Sequence, residues 1–479
     1  MSDAFAGLEP AAFWRHFAAL TTIARPSHEE QRVAAHVTAW AGERGFGVRS
    51  DAAGNLVVDV PATPGREDAP AVILQGHLDM VCEREPDSPY DPREGRIHVV
   101  RDGDWLLAEG TTLGADDGVA IAAMLALAES GAPHGPLELL MTVAEEVGLA
   151  GAQALDPALV TGDVLLNLDS EEDGTLTIGC AGSEDHVLTF TAPREPLPPG
   201  AELLRVTVSG GRGGHSGGDI ATGRASAIKL LAHALRGAGE VRIATFDGGA
   251  SRNAIPRDAV ALVAGEGVRA AVEAAGAGAR RSHARTDPGV RIAVETAGAA
   301  DPAGGVWSAE ASGRALDLIA LLPAGPLAMS PDFPGLVETS SSVGVAATTD
   351  GALTLRCLSR SSDDDALPVV RGQIEAAARL AGATYESLGS YPAWRPDPDA
   401  ALLATAVRVH TGLFGAEPEI GATHGGLETA LIGAKRPGLQ MLSFGPSIEG
   451  PHAPGERLHV PSAGRFMQLL RALLDELSR

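Results

Sequence analysis

Short apolar runs that stop abruptly on a charged residue recur along the chain, and between them apolar positions return every three or four residues. The run AVILQGHLDMVC (71–82) climbs to Gly76 and stops at His77-Leu78-Asp79; PLELLMTVAEEVG (136–148) stops at Glu145-Glu146, and GDVLLNLDSEEDG (162–174) stops at Asp169. Such runs, four to eight residues long and bounded by polar clusters, predict strands buried on both faces. Helical periodicity marks Pro10–Ile23 through Phe13, Trp14, Phe17, Leu20 and Ile23. Ser27 followed by Glu30 has capping-box spacing and predicts a second helix ending at Gly45. Val48–Val60 reads as a hairpin turning at Ala53-Gly54-Asn55, and VAIAAMLALAES after Asp116-Asp117-Gly118 as a long apolar helix. After Tyr391 come the helix ALLATAVRVHTGLFG, an Ala/Gly-rich helix following Thr423-His424, the strand GLQMLSFG and a closing helix from Ala463. Strands alternating with helices, with carboxylates gathered where the strands end, predict an α/β fold. Its core is an open mixed sheet flanked by helices, with the site at the strands' C-terminal edge.

From Ser183 to about Gly382 the pattern changes to longer loops and two halves of similar element order. The first runs LLRVTVSG, RASAIKLLAHAL, VRIATFDGG, AVALVAG and a helix. The second runs RIAVETAGA, RALDLIALLPAG, the hairpin VGVAATTDGALTLRCL and the helix VVRGQIEAAARLAG. Residues 184–382 are therefore expected to form an inserted α+β domain, and 1–183 with 383–479 a discontinuous catalytic domain.

Composition narrows the function. A length of 479 residues suggests two or three domains, and a net charge of −25 makes a poor binder of nucleic acid. Lysine occurs only at 229 and 435, neither in a phosphate-binding loop. Cys82, Cys180 and Cys357 lie far apart without metal-type spacing. With no basic-then-apolar opening and no apolar run of about 18 residues, the expectation is a cytoplasmic protein that neither crosses a membrane nor binds nucleic acid.

The chemistry concentrates at five segments, carrying His77, Asp116, Glu145-Glu146, Asp169 and His452. On extended chain His77 and Asp79 share a face, so a carboxylate stands behind an imidazole. Alone, this tripeptide reads more readily as a hydrogen-bonded pair at a strand end, and each carboxylate as a solvated or capping residue. The joint placement favours metal ligation. Imidazole and carboxylate without thiolate suit catalytic zinc. If His77 and Asp169 hold one ion, Glu146 and His452 the other, and Asp116 bridges, each ion keeps an open position. Three carboxylates and a shared hydroxide then balance two dications, which together polarise a carbonyl. Glu145, facing away from Glu146, is left as a general base or as a solvated surface glutamate.

GHLDMVCE, GADDGVAIA, TVAEEVGLAG, NLDSEEDG, GCAG, RGGHSGGDI, SRNAIPRDA, THGGLE and SFGPSIEGPHAPGE together resemble the co-catalytic di-zinc exopeptidases of the aminoacylase/carboxypeptidase clan, most closely the Xaa-His dipeptidase branch. The resemblance covers nearly the whole chain. It implies two zinc ions per subunit, replaceable by cobalt or manganese, held by His77, Asp116, Glu146, Asp169 and His452. It further implies Asp116 as the bridge, Asp79 orienting His77, Glu145 as general base, and a cis peptide between Asp116 and Asp117. The inserted domain becomes a lid supplying His215 to the oxyanion, from the same chain or from a partner in a homodimer formed through the lid. Asn253, Arg360, His424 and Glu428 become substrate-binding residues, with Arg360 reading a free carboxylate and His424 and Glu428 sharing a helix face. Without the resemblance, His215 reads as a solvated histidine in a Gly-rich turn. At His452-Ala453-Pro454 the family usually has Ser in the middle, so a hydroxyl near the ligand is missing.

The implied activity is zinc-dependent hydrolysis of dipeptides, of Xaa-His type or broader, by a metal-bridging hydroxide. One alternative is deacylation of N-acyl amino acids on the same site. The other, from a different class, is a non-catalytic metal- or amino-acid-binding protein, for which an intact Glu145 would be superfluous.

Overall fold

A computed structural model describes residues 3–298 and 304–479, and the chain separates into two compact units. The first comprises 1–179, 396–422 and 427–479; the second comprises 180–395 and 423–426. The expected inserted span 184–382 lies within the second unit, whose edges run on to Cys180 and Arg395.

The first unit is built on an eight-stranded mixed sheet. Its centre is four mutually parallel strands in the order Leu137–Thr142, Val72–His77, Val164–Asn167 and Gln440–Ser443. Being parallel, they end on one edge, and the segments that follow them carry the residues singled out above. Antiparallel strands flank this centre, the expected hairpin Gly47–Ser50 and Leu56–Val60 on one side and Thr175–Cys180 on the other. The helix Ala115–Glu129 is buried on every side through Leu127, as a helix apolar all round must be. It lies against Val72–His77, where Gly76 leaves room: a Cβ there would sit 2.5 Å from the Cβ of Ala120.

The capping box does not form. The second helix runs Gln31–Arg44 with no side-chain cap. Ser27 instead donates to Asp79 Oδ2 at 2.7 Å, and Glu30 Oε1 accepts from the backbone N–H of His28 and Ala144. Both side chains found better partners far along the chain than in their own helix.

The second unit holds a nine-stranded antiparallel sheet with four helices packed on one core. Its two halves divide differently from the expectation. Arg291–Gly298 pairs with Leu203–Ser209 and so closes the first half, a strand–helix–strand–strand–helix–strand unit spanning 203–298. The second half takes Gly182–Phe190 as its first strand, then continues through Ala309–Leu321, the pair Val337–Thr349 and Ala352–Ser361, Ala366–Ala381 and Thr384–Tyr391. One split βαβ unit is thus inserted after the first strand of another. Element order alone could not show which edge Arg291–Gly298 joins.

Among the described residues no helix is long and apolar enough to cross a membrane. Cys82, Cys180 and Cys357 are buried and no disulfide joins them.

Candidate active site

The parallel edge of the first unit gathers its side chains through the strand ends. His77 is the last residue of its strand; Asp169 follows Asn167 by two, and Glu145 and Glu146 follow Thr142 by three and four. The two glutamates lie beyond the strand on a turn, where Ala144 takes a φ of 52°, so the extended-chain argument for separating them does not apply. Their separate directions come from this turn, whose backbone N–H groups at 145 and 146 both donate to the Asp79 carboxylate.

Two buried side chains fix the frame around these residues. Arg25, 1% exposed, donates to the carbonyls of Leu78, Asp79 and Gly114, tying the end of the histidine strand to the start of the long helix. Glu456 accepts backbone N–H groups from Leu113, Gly114, Ala115 and Asp116, holding the Asp116 turn in the manner of an anion at a helix N-terminus. The Asp116–Asp117 peptide is cis. Asp117 Oδ2 accepts the N–H of His77 at 3.1 Å. Sequence reading missed the roles of Arg25, Asp117 and Glu456; a charged residue 0–2% exposed is visible only when its partners are placed.

Asp116 lies between two imidazoles. Its Oδ1 is 2.9 Å from His77 Nε2, and its Oδ2 is 3.0 Å from His452 Nε2. His77 Nε2 is also 3.6 Å from Asp169 Oδ1, and His452 Nε2 is 2.9 Å from Glu146 Oε2. The nitrogen and oxygen donors therefore form two triads sharing one carboxylate: His77, Asp116 and Asp169; and Asp116, Glu146 and His452. A further grouping joins His77, Glu145 and Glu146, with Glu145 Oε2 4.0 Å from His77 Nε2. His77 turns its other nitrogen to Asp79, 3.2 Å from the carbonyl and 3.4 Å from Oδ1.

Electrostatics record the crowding. Burial pushes the Asp169 carboxyl up to about 6, with Asp116 and Glu146 adding to it against the pull of His77. Burial likewise raises Glu145 well above the usual carboxylate range, helped by Asp169 and Glu146. Asp116 is held well below that range because His452 and His77 outweigh its burial. Asp79 falls to about 2: burial opposes this, but His77, Ser27 and the Glu145 N–H prevail. Hydrogen bonds to Asp116 and Glu146 raise His452 to about 11. A cluster of carboxylates leaning on protonated imidazoles is what a cation site looks like to protons. The buried Glu146 Oε1 has no hydrogen-bond partner among the described residues, so an oxygen donor is left over for a cation. Two imidazoles and three carboxylates with that spare oxygen fit a pair of divalent ions.

The second unit brings together four of the other expected residues. Arg360, 5% exposed, places Nη2 3.3 Å from His215 Nε2, while His215 Nδ1 accepts from the N–H of Gly218. His424 Nε2 is 2.7 Å from Ser340 Oγ, and burial beside Arg360 lowers its pKa to about 4. Asn253 accepts from Ser251 Oγ, and its carbonyl accepts from the N–H of Ser216. Glu428 does not share a helix face with His424. The helix starts at Glu428 itself, and His424 lies in a preceding stretch that belongs to the second unit. Glu428 is wholly buried, accepting from Gln75 Nε2 at 2.7 Å and Thr142 Oγ1 at 2.5 Å.

These features define a peptidase of the metal-dependent kind, and the chain belongs to the peptidase family M20/M25/M40, whose model matches residues 73–476. Among individual proteins, it is 37% identical to the cytosol non-specific dipeptidase of Escherichia coli (strain K12), with 98% of each chain covered. The structure of aminoacylhistidine dipeptidase from Vibrio alginolyticus superposes with a TM-score of 0.85 at 36% identity, again covering 98% of both chains. Aminopeptidase PepT from Bacillus cereus, 16% identical with a TM-score of 0.57 over 98% of this chain and 100% of its own, shares the fold.

Proposed function

We propose that this chain is a metal-dependent dipeptidase that hydrolyses the peptide bond of short substrates with a free carboxylate end, Xaa-His dipeptides among them. The observation that carries the reading is the Asp116 carboxylate, whose two oxygens face His77 and His452 separately at 2.9 and 3.0 Å. A carboxylate divided in this way suits a bridge between two cations. The full-length likeness to two dipeptidases narrows the reaction from peptidase to dipeptidase.

His77, Asp116 and Asp169 would hold one zinc ion, and Asp116, Glu146 and His452 the other. When bound, such ions polarise the scissile carbonyl and make water acidic enough to attack near neutral pH. The remaining steps fall to side chains. Glu145, a carboxyl whose pKa burial has raised, takes the proton of the attacking water and hands it to the leaving amine. Asp79 fixes the His77 tautomer by accepting at Nδ1, which leaves Nε2 free for the metal. His215 stabilises the oxyanion, Arg360 grips the substrate carboxylate, and Asn253 and His424 complete recognition. A chain with three buried cysteines and no disulfide suits the reducing cytoplasm. Sedimentation tests the homodimer expected through the second unit, for which a dimer mass is the anticipated result.

Glu145→Gln tests the mechanism. Metal content should stay at two ions while kcat for Ala-His falls by about 10²–10⁴-fold. Wild-type turnover in this variant would remove Glu145 from the reaction, and a wild-type protein without bound metal would sink the whole reading.

A further inference from the structure

Beneath the candidate metal ligands, one residue layer down, the first unit carries a row of polar side chains where a parallel sheet should be apolar. Gln75, Asn167 and Ser443 come from three adjacent parallel strands and stand in direct register: Gln75 opposite Asn167, and Asn167 opposite Ser443. All three are completely buried. They join head to tail. Ser443 Oγ donates to Asn167 Oδ1 at 2.5 Å, and Asn167 Nδ2 donates to Gln75 Oε1 at 2.6 Å. Gln75 Nε2 then donates to Glu428 Oε2 at 2.7 Å. Thr142 Oγ1, from the fourth parallel strand, reaches the same Glu428 oxygen at 2.5 Å, and Ser170 Oγ meets Ser443 Oγ at 2.7 Å. Every central strand is thereby tied to its neighbours by side chains as well as by backbone.

The row's place along the strands gives it meaning. Gln75 precedes His77 by two residues within one strand and so shares its face, while Asn167 is the last residue of its strand, two before Asp169. Asn167 Oδ1 also lies 3.4 Å from the N–H of Asp169. Thr142 is the last strand residue before the turn carrying Glu145 and Glu146. Glu428 is where the row ends, and it receives two donors on one oxygen. Its other oxygen, Oε1, is buried with no partner among the described residues. None of its hydrogen-bond partners is a cation, and a buried carboxylate so placed is carried most cheaply as the neutral acid. Burial in fact pushes it up to about 8, with Asp169 and Asp79 adding to this against His77 and Thr142.

We infer that Glu428 is a positioning residue: by terminating the Gln75–Asn167–Ser443 row and holding Thr142, it keeps the ends of the parallel strands, and with them His77, Asp169 and the Glu145–Glu146 turn, at metal-binding spacing. It does so without touching substrate or metal. This rests on the metal site proposed above, and it replaces the substrate-lining role expected for Glu428 from sequence.

The test is cobalt(II) binding to the metal-free full chain, followed by calorimetry and by the visible absorption of the bound ion, for wild type, Glu428→Ala, Glu428→Gln and Thr142→Val. Wild-type protein that takes up no cobalt would refute the metal site itself, separately from this inference. With the site intact, Glu428→Ala should weaken cobalt binding by about 10–100-fold and shift the absorption bands. Glu428→Gln, which keeps the acceptor and the shape of a neutral acid, should restore both to within about threefold of wild type. Thr142→Val removes one donor at constant volume and should weaken binding by a smaller factor, which keeps the question answerable should Glu428→Ala fail to fold. Unchanged affinity and spectrum in both Glu428→Ala and Thr142→Val would overturn the inference. So would a Glu428→Gln variant as impaired as Glu428→Ala, because the negative charge would then be what matters.

Discussion

His77 Nδ1 faces Asp79 twice over, 3.2 Å from its carbonyl and 3.4 Å from its carboxylate. The carboxylate also accepts from Ser27 Oγ and from the N–H groups of Glu145 and Glu146. One side chain therefore orients a candidate ligand and the turn that carries Glu145, the proposed base. Asp79→Asn keeps the shape but presents an amide N–H to groups that need acceptors. It should lower metal affinity and kcat by about 10–100-fold, read by metal titration and initial rates. Ser27→Ala removes a single donor and should cost less than Asp79→Asn. Equal losses would show that the hydroxyl, and not the carboxylate, sets the geometry.

Proton release on metal uptake follows from the same cluster. Burial disfavours charge on His77, but Asp169, Asp116 and Asp79 outweigh it and raise the imidazole well above its usual range; His452 rises to about 11. A raised pKa means that both rings carry a proton at pH 7 in the metal-free protein, and that their ion pairs with the carboxylates hold from low pH until pH climbs through the folded values. A metal must displace those protons, so apparent affinity should increase from pH 6 to pH 8, with about two protons released per filled site pair. Calorimetry in two buffers of different ionisation enthalpy measures the release. A binding enthalpy that does not change with buffer would contradict it.

Gly76→Ala should be costly although the position lies in a well-formed strand, one residue before its end. The added methyl would meet the Asp117 carboxylate and stand 2.5 Å from Ala120 Cβ, and both belong to a helix with no room to retreat. Overpacking of this kind costs about 1–3 kcal/mol. Thermal denaturation should show a lower midpoint, and metal affinity should fall because Asp117 also receives the His77 N–H. A midpoint equal to wild type would mean that the helix can shift.

The cluster of candidate ligands was legible in part because the apolar runs before His77, Glu145-Glu146 and Asp169 break sharply on charge, and parallel strands put those breaks on one edge; Asp116 at a helix start and His452 in a turn carry no such signal. Ser27 and Glu30 were misread for the opposite reason. Their spacing is that of a local cap, but their partners Asp79 and Ala144 lie 52 and 114 residues away, beyond any local pattern. Gln75, Asn167 and Ser443 stand in separate apolar runs of the sequence, and only strand register shows them as one row. Register also decided the second unit, where Arg291–Gly298 joined the half before it. Propensity and periodicity report what a segment is. Which segment it lies beside is settled by long-range pairing.

Arg360 offers the sharpest test of substrate reading. The residue is 5% exposed, its Nε has no hydrogen-bond partner among the described residues, and Nη2 meets His215. A buried guanidinium with a donor to spare is built to receive a planar anion, and the free carboxylate of a dipeptide is one. Hydrogen bonds to a charged group contribute about 1.5–3 kcal/mol, roughly 10–100-fold in binding. Wild-type enzyme should therefore prefer Ala-His to its C-terminal amide by about that factor in kcat/KM. Arg360→Met should raise KM for the free dipeptide by a similar factor while changing little for the amide, so that the preference disappears. Equal losses on both substrates would mean that Arg360 supports His215 and leaves the carboxylate to another residue.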